Sequence, residues 1–131
     1  MTSFDQPQKS LLDLQFAEFL KRYPQATLEH GCGVSVVSVP AVTLPSGWNK
    51  ETVTVHFLVT GYPHAKPDCF NVDADLRLAS GALPQNAQLQ DMPLVGGTLW
   101  FSWHLGEDWK PRRDTLDTWM AVVRRRFEAL S

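Results

Sequence analysis

The chain has 131 residues, 44% of them hydrophobic, with 12 Lys and Arg against 14 Asp and Glu. That length fits one domain with a sizeable core, and a formal charge of −2 argues against a general nucleic-acid binder. No apolar run approaches the roughly 20 residues that cross a bilayer, the opening MTSFDQPQKS has no signal-peptide pattern, and two cysteines are too few to staple a secreted fold. A cytoplasmic protein with reduced thiols and no membrane partner is therefore expected.

Residues 1–9 read as a flexible lead. Ser10 is an N-cap for a helix over Leu11–Arg22, with Asp13 at its positive end and Leu12, Phe16, Phe19 and Leu20 on one stripe. Pro24 stops it. Val34–Val39 is a short β-branched strand that Pro40 ends. After the turn-rich Leu44–Asn49, Thr52–Thr60 alternates Val53, Val55, Phe57 and Val59 with polar residues, the mark of a half-buried antiparallel strand. His56 falls on its polar face and is expected in solvent.

Pro63 and Pro67 force an extended path through Gly61–Phe70, and Phe70 with Val72 suggests another short strand. From Asp73 to Thr98 no period is sustained, so a long loop anchored by Leu76, Leu78 and Leu83 is expected. Leu99–His104 reads as a buried aromatic strand, and Gly106-Glu107-Asp108 as a turn. Asp114 is taken as the N-cap of a last helix with Leu116, Met120, Val123, Phe127 and Leu130 on its apolar stripe. Arg124, Arg125 and Arg126 are expected on a solvated face. The fold class is α+β: an N-terminal helix, an antiparallel meander, a long loop and a C-terminal helix.

Tyr62-Pro63 followed by Pro67, then Trp109-Lys110-Pro111 ahead of a helix, is the order of motifs in a ubiquitin-conjugating (UBC) domain. With Leu-Pro-x-Gly-Trp-Asn at Leu44–Asn49 and Phe101-Ser102-x-His104, the chain resembles prokaryotic UBC-like family E. The resemblance implies a ubiquitin-like conjugation setting whose partners are a ubiquitin-like protein, a ThiF-type activating enzyme and a JAB-type peptidase. It also implies a thioester cysteine about eight residues before the Trp of Trp-x-Pro. That position is Phe101 here, and no cysteine lies between Trp100 and Trp109. The family's His-Pro-Asn element is missing too, with Met92-Pro93 its nearest remnant.

Three readings stay open. One is a silent UBC-like module that binds the ubiquitin-like protein or its activating enzyme through Tyr62, Pro63, His64, Trp103, Trp109 and Pro111. Another is a conjugating enzyme with its thioester relocated to Cys69 and His104 assisting, although a nucleophilic thiol needs a lowered pKa and Asp68 next door would raise it. The last is an unrelated α+β binding module. Cys32, between two glycines, has no catalytic context. The pairs His30/Cys32 and His64/Cys69 lack structural-zinc spacing, so neither a metal nor another cofactor is expected.

Overall fold

The computed structural model describes residues 10–105, 108–111 and 113–131. The expected lead over 1–9 and the Gly106-Glu107 part of the expected turn lie outside the described residues. Ser10 opens the first helix as expected. Its Oγ accepts the Asp13 N–H at 3.0 Å, and the Asp13 carboxylate accepts the Ser10 N–H at 3.3 Å. This helix, α1, is Leu11–Arg22, with Leu12 and Phe19 buried.

Six antiparallel strands follow among the described residues: β1 (Thr27–Gly31), β2 (Val34–Thr43), β3 (Thr52–Leu58), β4 (Phe70–Val72), β5 (Ala87–Met92) and β6 (Gly96–Phe101). They form one sheet in the order β1-β2-β3-β4-β6-β5. Helix α2, Leu116–Glu128, closes the chain. Val37, Val39, Val53, Val55, Phe57, Phe70, Val72, Leu99 and Phe101 share one core with α1 and α2. Trp119 meets Phe57 at 6.5 Å between ring centroids, and Phe127 meets Phe70 at 5.6 Å.

Several expectations need correction. β1 was not anticipated, because Thr27–Gly31 shows no apolar alternation and most of its side chains are exposed. It pairs with β2 through a two-residue turn in which Cys32 and Gly33 both have positive φ, 50° and 79°. Such turns match strand twist and ordinarily recruit Asn-Gly. β2 does not end at Pro40. It continues to Thr43 across a register shift between Val39 and Val42, where Ala41 has a φ of 57°.

The stretch 73–98 is not all loop. Its second part is the hairpin β5–β6 at the sheet edge, whose outer strand buries only Met92 fully. The remaining loop is held by the Leu44–Asn49 segment. Asn49 accepts the Arg77 N–H at 2.8 Å and donates its amide to the Asp75 carbonyl at 2.9 Å. Leu76 anchors that loop in the core, whereas Leu83 is exposed.

At α2 the cap is Thr115 rather than Asp114; the Thr115 N–H donates to Thr118 Oγ1 at 3.0 Å. Asp114 is buried one residue earlier, where it accepts the Lys110 N–H at 2.7 Å and the Arg113 guanidinium at 3.0 Å. Those donors, Arg113 first, hold its carboxyl below the ordinary carboxylate range. Leu130 lies past the helix and is exposed. Arg126 is not on a solvated face: it is 2% exposed, lies 5.1 Å over Phe101 and 5.2 Å over Trp103, and donates to the carbonyls of Gln85, Ala129 and Ser131. His56 is half-buried, its Nδ1 2.7 Å from Ser38 Oγ across the β2–β3 pair, and burial lowers its pKa.

Candidate functional site

The Tyr-Pro turn and the Trp-x-Pro segment lie 46 residues apart in sequence and meet in space. The Trp109 indole Nε1–H donates to the Pro63 carbonyl at 2.8 Å. Its ring stands edge-on to Tyr62, centroids 5.8 Å apart. Tyr62 in turn donates its hydroxyl to Gln15 of α1, and burial pushes its pKa up, so the phenol remains a neutral donor. One indole thus ties the bend after β3 and the lead into α2 together, and the tyrosine ties both to the first helix.

The three pieces enclose a groove of about 660 Å³ lined by Leu11, Pro63, His64, Trp109, Lys110 and Pro111. Two prolines and an indole are part of its lining. Leu11 stands 45% exposed at one rim, and the exposed His64 and Lys110 supply its polar edge. Prolines at 63 and 111 fix φ on either side of the opening.

The motif pair and the way it closes on itself agree with a family-model match. The model described as prokaryotic E2 family E matches residues 18–129 of the chain. The chain belongs to prokaryotic E2 family E. No curated protein and no solved structure matches it. Membership makes the protein an E2-like component of a ubiquitin-like conjugation pathway.

For this E2-like chain the position eight residues before Trp109 gains a physical description. Phe101 is fully buried, stacked on Phe70 at 4.8 Å with 9° between planes, and edge-on to Phe127. The site where the resemblance places a thioester cysteine is here a core position beneath Arg126.

Cys69 lies elsewhere, next to β4. Its N–H donates to the Trp103 carbonyl at 2.9 Å, and its φ of 62° is left-handed. In a regular strand neighbouring side chains leave on opposite faces. The left-handed kink breaks that rule, and Asp68 and Cys69 converge on the same residue, His104. The donor atoms of Asp68, Cys69 and His104 all lie within 4.8 Å of one another, and His104 Nδ1 is hydrogen-bonded to the Asp68 carboxylate. The side chains of His104 and Asp68 are about half exposed, at 55% and 49%, and Cys69 is half-buried.

Burial raises the Cys69 pKa and the Asp68 charge adds to it, against bonds from Trp103, Trp100 and Ser102 that pull it down. The net is a thiol kept protonated, the reverse of an activated nucleophile. Cys32 is free and exposed in its turn, so the two cysteines are unbridged.

Of the binding residues read from sequence, Pro63, His64, Trp109 and Pro111 line the groove and Tyr62 buttresses it from beneath. Trp103 does not line it; it stacks on Arg126. Of the catalytic pair, Cys69 and His104 do come together, joined by Asp68. Sequence reasoning missed Leu11 and Lys110. Leu11 carried a signal, since it lies off the apolar stripe of α1 and yet is a large aliphatic.

Proposed function

We propose that this chain serves its pathway as a docking component: the groove between α1, the Tyr-Pro bend and the Trp-x-Pro segment receives the ubiquitin-like protein or its ThiF-type activating enzyme. A JAB-type peptidase acts in the same pathway, and the protein works in the cytoplasm, a compartment that suits two free thiols. The observation that carries the reading is the groove itself, a largely apolar concavity lined by a tryptophan and two prolines. Buried aromatic anchors supply most of the affinity at protein interfaces. Phe101 in the core supports the absence of a thioester at the family position.

A thioester on Cys69 is the rival, favoured by the convergence of Cys69 on the His104–Asp68 pair and opposed by its raised pKa. Incubation with the activating enzyme, ATP and the ubiquitin-like protein separates the two. Docking predicts a complex and no reducible adduct on this chain, with binding lost in Leu11→Glu/His64→Glu, both of which alter exposed residues. A reducible adduct absent from Cys69→Ser and present in Cys32→Ser overturns docking in favour of conjugation. Undiminished binding in Leu11→Glu/His64→Glu removes the groove from the account.

A further inference from the structure

Docking leaves the Asp68–Cys69–His104 group without a task. We propose that it is a binding site for a borderline divalent transition cation, zinc first. The three side chains offer one sulfur, one imidazole nitrogen and one carboxylate oxygen, the donor set that zinc takes from proteins. Their donor atoms already lie within 4.8 Å of one another. A zinc ion bonded at roughly 2.0–2.3 Å to each needs them about 3–4 Å apart, a closure that side-chain rotation of half-exposed residues can supply.

The arrangement is built by two separate parts of the backbone. The Cys69 N–H bond to the Trp103 carbonyl joins the approach to β4 to the chain just beyond β6, which brings residue 104 opposite residues 68 and 69. The positive φ at Cys69 then turns two adjacent side chains toward one point, which an extended strand does not do. His104 Nδ1 and Asp68 at present share a hydrogen bond. The cation takes the place of the shared proton, which passes to solvent while the neutral imidazole carries its one proton on Nε2, and the Cys69 thiol proton likewise leaves to solvent as the sulfur–metal bond forms. Three protein ligands leave a fourth position facing solvent for water, as in zinc sites with an open coordination position.

This inference does not rest on the docking groove, and its test uses no partner. The full chain, reduced and metal-free, is titrated with cobalt(II), which reports thiolate ligation through a sulfur-to-cobalt charge-transfer band and tetrahedral geometry through intense visible bands. One equivalent is expected to bind with both signatures, and zinc is expected to bleach them. Affinity is expected to fall by about 100-fold or more in Cys69→Ser and in His104→Ala, and to be unchanged in Cys32→Ser. No charge-transfer band in the wild type overturns the site. So does a band that survives in Cys69→Ser, or one that disappears in Cys32→Ser.

Discussion

Phe101 offers the sharpest perturbation, because the resemblance to conjugating enzymes places a thioester cysteine there. Phe101→Cys gives the spacing of eight residues to Trp109 that the resemblance implies, and the burial of the ring predicts a poor outcome. The ring is fully buried between Phe70, Phe127 and the Arg126 guanidinium. Truncating a buried Phe to Ala costs about 3–5 kcal/mol. A thiol refills part of the hole, so about 3 kcal/mol is expected. In a domain this size each kcal/mol moves the melting temperature by about 3–5 °C, which puts the fall at about 9–15 °C.

Thermal and denaturant melts measure that loss. A thiol-labelling time course in native buffer measures access, with exposed Cys32 as the internal reference. The new thiol should label far more slowly than Cys32 and should accept no ubiquitin-like protein. A loss under about 1 kcal/mol with labelling as fast as at Cys32 would refute the claim that this position belongs to the core.

Other consequences follow from the polar interior. Asp114 has its folded pKa below the unfolded value near 3.9, so its contribution is intact above pH about 4 and is lost as pH falls through the folded value. Asp114→Asn should cost about 1–2 kcal/mol at neutral pH and flatten the acid limb of a stability-against-pH curve; an unchanged limb contradicts it. His56, whose folded pKa is lowered by burial, charges first in the unfolded chain. Stability should therefore decline as pH drops below about 6.5, and His56→Gln should remove part of that decline in melts across the range. Arg126→Met leaves three carbonyls without their donor and should cost about 1–3 kcal/mol while speeding proteolysis after Glu128; a melting temperature equal to wild type would show that the guanidinium does not hold the chain end.

Much of the fold was legible because burial and periodicity coincide in it. The capped α1, the alternating β3 and the apolar stripe of α2 each present one face to one core, and that leaves a pattern. β1 and β5 left none, since edge strands carry few buried side chains: Leu89 of β5 is 61% exposed. Their pairing is encoded instead in turns whose residues, Cys32-Gly33 at one and Leu94 with Gly96 at the other, adopt positive φ without an Asn-Gly signature. Asp114 misled because an acidic residue ahead of a helix looks the same whether it caps the helix or, as here, holds Lys110 and Arg113 one residue too early.

The groove was legible in outline, through the prolines and Trp109, because those residues fix backbone shape locally. Trp103 could not be separated from Trp109 by composition; only the buried Arg126, read from sequence as a surface charge, explains where it goes. The Asp68–Cys69–His104 group was half visible. His104 is a polar oddity after an aromatic run and Cys69 is the thiol of the Tyr-Pro segment, but their meeting depends on the β4–β6 pairing and a left-handed residue, neither of which spacing reveals.

We propose that a pathway protein docks at the Trp109 groove. Amide and indole NMR shifts of the labelled chain, followed while unlabelled ubiquitin-like protein or activating enzyme is added, test it directly. The expected result is saturable change in the Trp109 indole, His64, Lys110 and Leu11 signals with either protein. Shifts concentrated at Cys69, Trp100 and His104 while the Trp109 indole stays still would contradict it.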